Sequence, residues 1–285
     1  MKIISYINLM RPYQWLKNIL LLAPVFFAGG IISESIIDVF AAIACFCLLS
    51  SIGYIFNDWM DRKRDSFHPY KKHRPICSGK VSGLESICLS VALFIATIII
   101  LLESTFPHLF FIMLLLYFLL TASYSVYIKH IVILEIFAVS MGFVLRVLAG
   151  GAVSSIIVSS WLFMTVFFIS MLISIAKRLS EFNDLGKEKA ILHRGSQNGY
   201  TISFLTNMLW ACGGVTLVVY ALYVVGHGGI VVYSVLPATY GIFRFIYLAD
   251  MGKAGDPVKV LFTDIQLLAT TLFFLVFIGI TIYCI

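Results

Sequence analysis

Asp58, Asp61 and Asp65 stand in the stretch NDWMDRKRD, spaced i, i+3, i+7. On an α-helix, at about 100° per residue, they fall within roughly 60° of one another, stacked on one face. Three carboxylates this close repel unless something positive sits between them. Hard oxygen ligands at this spacing suit Mg²⁺, which keeps several waters and is often bound jointly with substrate phosphates. Asn57 adds an amide oxygen, as an auxiliary ligand or an orienting group. Arg62, Lys63 and Arg64 point elsewhere on such a helix and do not neutralise the stripe directly. The complement follows in HPYKKHRP, where Lys71, Lys72 and Arg74 come after a turn at Pro69. Lysine meets phosphate as a point charge and arginine as a bidentate clamp. Metal-binding acids followed at once by phosphate-binding bases make a cradle for a Mg²⁺-bound diphosphate leaving group. His68 and His73 are poor Mg²⁺ ligands, so their place is in direct substrate contact or none.

The elements that must position these groups are membrane helices. Of the 285 residues, 61% are hydrophobic and 12% charged, about half the usual charge of a soluble domain. Apolar runs of about 20 residues read as spans, and nine are predicted: 16–33, 36–56, 84–102, 109–126, 131–150, 156–176, 200–222, 230–249 and 262–284. The expected fold is an all-α integral membrane protein, one domain over 1–285. No removable signal peptide is expected, because no small-residue cleavage site follows the first run. Of the 20 Lys and Arg, 18 lie in or beside segments 1–15, 57–83, 127–130, 177–199 and 250–261. That bias puts these segments and the N-terminus in the cytoplasm and the C-terminus outside. The net charge of +6 is thus tied to topology and phosphate, not to nucleic acid. The six cysteines form no CxxC pair and are read as packing residues.

Two charged inner segments, 57–83 and 177–199, each follow an even-numbered span, and the second opens with KRLSEFND. The layout is that of two four-helix halves facing a common cavity. Gly142, Gly150 and Gly151, like Gly213 and Gly214, suit close helix packing in lipid. Arg146 lies deep in span five, where a charge is a functional candidate by default. It is assigned either to a structural partner such as Glu135 or to a substrate phosphate. Arg244, about one turn inside span eight, is read as snorkelling to the surface. Lys17, Tyr124 and Lys129 are further candidates for cavity and phosphate contacts. Asp256-Pro257 looks like a helix start.

An NDxxDxxxD motif after the second of about nine spans, followed by Arg74-Pro75-Ile76-Cys77-Ser78-Gly79, resembles the UbiA superfamily of intramembrane prenyltransferases. RPYQWLKN at 11–18, HPYKKHRPI at 68–76, YSVYIKH at 124–130, GFVLRVLAGG at 142–151 and AKRLSE at 176–181 resemble its decaprenyl-phosphate phosphoribosyltransferase branch. The resemblance implies a helical bundle around a central cavity open to cytoplasm and lipid. It further implies transfer from phosphoribosyl diphosphate to a polyprenyl phosphate at a bacterial inner membrane, for cell-envelope polysaccharide synthesis. Aromatic prenyltransferases of the superfamily carry a second DxxxD motif after the sixth span. The matching positions here are Lys177 and Glu181. Glu181 is a candidate metal ligand, and Lys177 and Arg178 are candidates for binding substrate phosphates. The alternative enzyme moves an isoprenyl group from its diphosphate to an aromatic acceptor, and the missing first aspartate of that second motif argues against it. A CDP-alcohol phosphatidyltransferase would need a DGxxAR signature. A transporter would place its charges near the bilayer midplane.

Overall fold

The computed structural model describes residues 2–30, 36–67, 71–193 and 199–284, with the backbone alone for 184–193. His68, Pro69 and Tyr70 of the HPYKKHRP stretch lie outside the described residues. Among the described residues, eleven α-helices follow in order: α1 (Lys2–Met10), α2 (Ala23–Phe27), α3 (Ile36–Asp65), α4 (Gly83–Glu103), α5 (His108–Val126), α6 (Leu134–Val153), α7 (Ser160–His193), α8 (Ile202–His227), α9 (Val235–Asp250), α10 (Pro257–Thr263) and α11 (Ile265–Tyr283). Among the described residues, eight helices are long and apolar enough to cross a membrane: α3 to α9 and α11, with α7 counted to Asn183 and α9 from Gly229.

The first predicted span differs. Instead of one helix over 16–33, Pro12–Leu22 is a 3₁₀ helix that runs into the five-residue α2. Proline at 12 and again at 24 removes a backbone donor at each end of this stretch. Two helices also run past their apolar runs. α3 continues nine residues beyond position 56, so the aspartates ride on the helix itself. α7 continues to His193, turning most of the charged segment 177–199 into helix. Lys, Glu, Leu and Ala, frequent in that segment, are strong helix formers.

The chain forms two compact units. The first holds the described residues of Met1–Phe26, Gly30–Lys129 and Leu145–Val158. In it α3 packs against α1, α4, α5 and the Pro12–Leu22 helix. Its core centres on Phe46, Phe110, Leu114, Tyr117 and Ala149, with the Phe46 and Tyr117 rings 5.1 Å apart. α4 starts with a capping box. Ser82 accepts from the Glu85 backbone, and Glu85 accepts from the Ser82 N–H and also from Lys2 and Tyr6 of α1. The second unit holds Phe27–Gly29, His130–Val144 and the described residues of Ser159–Ile285. There α7 packs on α8, α8 on α9 and α9 on α11, around Ile175, Leu179, Tyr200, Leu209 and Ile246. Asp256 caps α10 as expected, accepting from the Val258 and Lys259 N–H groups.

Gly150 has a specific task. A Cβ placed there would lie 2.0 Å from the Leu21 carbonyl oxygen and 2.7 Å from its carbonyl carbon, so only glycine admits this backbone approach. At Gly213 a Cβ would meet the movable end of the Ile246 side chain, at 2.7 Å, and Gly214 faces open space with no packing role of the kind expected. Gly150→Ala is expected to cost about 1–3 kcal/mol by forcing the two segments apart. A clear drop in the melting temperature of the detergent-solubilised protein would register this, and an unchanged one would refute the close contact.

Candidate active site

The aspartate face lies at the end of α3 in the first unit. Asp58 is only 2% exposed and Asp65 is also buried. Only Asp61 and Asn57 are half-buried. Neighbouring cations supply the positive charge that burial demands. Arg74 Nη1 donates to Asp58 Oδ1 at 3.0 Å and to Asp65 Oδ2 at 2.7 Å, bridging carboxylates two turns apart. Lys129, itself buried, donates to Asp61 Oδ1 at 2.7 Å and reaches Asn57 Oδ1 at 3.5 Å. Arg11 also donates to Asp58 Oδ1. Burial opposes the Arg11 charge most strongly of any one cause, but the Asp58 carboxylate together with Tyr13 and Tyr54 outweighs it, so the guanidinium pKa stands above its ordinary value.

Arg11 is the residue that sequence reasoning missed. It sits at φ 54°, a left-handed conformation rare for a side chain of its size, immediately before Pro12. Its guanidinium lies 5.4 Å from the centre of the Tyr54 ring. The available signal was the Arg-Pro dipeptide after an amphipathic segment, which marks a sharp turn without naming its partner. Arg62, Lys63 and Arg64 do point away: all are exposed, and Arg62 lies over the Trp59 ring at 5.3 Å. His73 is exposed and Lys71 half-buried.

Carboxylate and amide oxygens are donors of the kind that Mg²⁺ takes. Each aspartate has one oxygen engaged by a cation, while Asp58 Oδ2, Asp61 Oδ2 and Asp65 Oδ1 accept no hydrogen bond among the described residues. Among those residues no three His, Cys, Asp or Glu groups converge closely enough to enclose an ion by themselves. A Mg²⁺ held here would need water and substrate phosphate to complete its shell.

The other predicted residues fall in two places. In the first unit Arg146 is buried; its Nε donates to Asn18 Oδ1 at 2.7 Å and its Nη2 to the Tyr117 hydroxyl at 2.8 Å. Lys17 and Tyr124 are half-buried in the same unit. In the second unit Glu135, offered above as a partner for Arg146, forms an ion pair with Arg178 Nε at 3.2 Å. Arg178 Nη1 also donates to Glu181 at 2.8 Å, and Lys177 is exposed. Arg244 does not simply snorkel. Its Nη2 and Nε reach Asp264 at 2.7 and 3.2 Å, which ties α9 to the start of α11. Just before α6, Ile133 adopts φ 67°, an outlier for a β-branched residue. Its N–H donates to the hydroxyl of fully buried Tyr200 at 2.7 Å.

Comparison with known proteins bears on family and fold. Residues 19–278 match the UbiA prenyltransferase family. A decaprenyl-phosphate phosphoribosyltransferase of Mycolicibacterium smegmatis is 31% identical over 296 residues, covering 97% of this chain and 92% of that protein. One from Corynebacterium glutamicum is 31% identical over 276 residues, covering 92% and 82%. A solved UbiA homolog from Archaeoglobus fulgidus, bound to GPP and Mg²⁺, has a TM-score of 0.72 at 17% identity, covering 99% of this chain and all of its own; that likeness concerns the fold. Eight membrane-length helices, a family match across most of the chain and relatives aligned nearly end to end lead to one conclusion: the chain belongs to the UbiA prenyltransferase family and is a membrane-embedded transferase.

Proposed function

We propose that the protein transfers a 5-phosphoribosyl group from phosphoribosyl diphosphate to a polyprenyl phosphate and releases diphosphate. The observation that carries this reading is the number of fixed cations on the aspartate face. Arg11, Arg74 and Lys129 all touch its carboxylates, a density suited to phosphate on both substrates. The names of the near-full-length relatives point the same way.

In this reading Asp58, Asp61 and Asp65, with Asn57, hold Mg²⁺, which when bound stabilises negative charge on the departing diphosphate. Arg11, Arg74 and Lys129 exchange carboxylate oxygens for donor phosphate oxygens, so their charge stays compensated throughout. Lys71 adds a point charge beside them. Lys177 offers a cation to a substrate phosphate, and the Glu135–Arg178–Glu181 pairing holds the helix turn that carries it. A lipid phosphate oxygen bonds to the anomeric carbon as the bond from that carbon to the diphosphate oxygen breaks. No general base is needed, because the lipid phosphate is already ionised at neutral pH. The bias of Lys and Arg toward segments 1–15, 57–83, 127–130, 177–199 and 250–261 supports a site facing the cytoplasm of a bacterial inner membrane, with the N-terminus inside and the C-terminus outside.

Proteoliposomes holding polyprenyl phosphate should transfer label from phosphoribosyl diphosphate into extractable lipid, and chelation of divalent metal should stop it. Label entering lipid from an isoprenyl diphosphate, with an aromatic acceptor and no phosphoribosyl transfer, would replace this reading with the aromatic prenyltransferase one.

A further inference from the structure

The first unit carries an open cavity of about 750 Å³ beside Asp58. α1 and the start of the Pro12–Leu22 helix form one wall, and the segment 73–80 forms the other. Four strong cations line it, Lys2, Arg11, Arg74 and Lys80, against the single carboxylate of Asp58. Arg11 and Arg74 are the two that donate to Asp58, so that end of the cavity adjoins the aspartate face. Lys80 and Lys2 are exposed and line the cavity away from that pairing.

Both walls are built by the local fold. Lys2 and Tyr6 fasten α1 to Glu85, which caps α4. The loop that presents Lys80 is closed by hydrogen bonds from the Ser78 N–H to the Arg74 carbonyl and from the Val81 N–H to the Pro75 carbonyl, at 2.8 and 3.1 Å. Gly79 supplies the left-handed turn at φ 74°. A cavity so charged is a poor place for an isoprenoid tail, whose burial is favourable only in apolar surroundings. It suits a small polar group with its own negative charge.

We infer that this cavity takes the sugar end of the donor, with a phosphomonoester held by Lys80 and Lys2 while Arg11 and Arg74 face the diphosphate. The inference rests on the phosphoribosyl reading above and deepens it. The N-terminal helix and the 73–80 loop then determine which donor is accepted, by reading a second phosphate that isoprenyl diphosphates lack.

The test separates the two ends of the donor. Purified protein in proteoliposomes with polyprenyl phosphate is assayed with labelled phosphoribosyl diphosphate. Ribose 5-phosphate and inorganic diphosphate serve as separate inhibitors. Lys80→Gln should weaken ribose 5-phosphate by about tenfold, the effect of losing one charge-assisted hydrogen bond. Adding Lys2→Gln should weaken it further, and the donor KM should rise in parallel. Inhibition by inorganic diphosphate should stay within about twofold, and Lys80→Arg should restore most of the ribose 5-phosphate affinity. Variants that weaken both inhibitors equally, or neither, overturn the inference while wild-type transfer leaves the donor reading standing. Wild-type protein that transfers no phosphoribosyl label overturns both.

Discussion

Asp61→Asn is expected to lower kcat by about a thousandfold or more, because a metal ligand's contribution to transition-state charge is worth several kcal/mol. Its effect on folding should be small. The Asp61 side chain is 21% exposed and has one cationic partner, and asparagine keeps an oxygen for the Lys129 ammonium. Asp58→Asn should lose turnover as well but behave differently as a protein. Asp58 is buried under two guanidinium groups, and a neutral amide leaves Arg11 without its counter-charge and Arg74 with Asp65 alone. Breaking a buried ion pair from one side costs about 3–5 kcal/mol, enough to lower the melting temperature by several degrees. Measuring kcat in proteoliposomes alongside thermal unfolding in detergent separates the two variants. Full activity of purified Asp61→Asn would remove the metal-site assignment, and an unchanged melting temperature for Asp58→Asn would refute the buried arrangement.

Lys177→Asp tests the donor from the second unit. Lys177 is exposed, so the change should leave the fold intact within about 0.5 kcal/mol. If Lys177 faces a substrate phosphate, the variant sets an anion against an anion. Reversal of such a contact costs about 2–5 kcal/mol, which is a loss of at least about tenfold in substrate binding. In an aromatic prenyltransferase the same change would restore the first aspartate of a second DxxxD motif. Activity would then hold or rise. A gain of activity with an isoprenyl diphosphate donor would overturn the phosphoribosyl reading and leave the family and the aspartate face untouched.

Much of this was legible because it is periodic or local. Apolar runs of membrane length located α3 to α9 and α11, and the i, i+3, i+7 spacing put three aspartates on one helical face. The Asp256 cap followed from a dipeptide. What could not be read were pairings between segments far apart in the chain. Nothing near Arg11 names Asp58, and nothing near Arg178 names Glu135 across 43 positions. Burial of the aspartates was hidden for the same reason, since the cations that permit it come from elsewhere. Apolar content also could not show that Pro12–Leu22 is a 3₁₀ helix, because hydrophobicity reports the environment of a segment and not its hydrogen-bond pattern. Charge content alone did not show how far α7 runs, although the Lys, Glu, Leu and Ala of 177–193 favour helix.

The separations within the aspartate cluster set an order of events as the chain is made. Arg11 precedes Asp58 by 47 residues, Arg74 follows Asp65 by 9, and Lys129 follows Asp61 by 68. At synthesis rates of roughly 5–20 residues per second, Asp61 waits about 3–14 s for its lysine. Asp58 has an arginine available from the moment it leaves the ribosome. The nascent chain therefore carries α3, α4 and α5 with one acid unmatched, and that acid sits beside Arg62, Lys63 and Arg64. The aspartate face is completed only when α5 has been made.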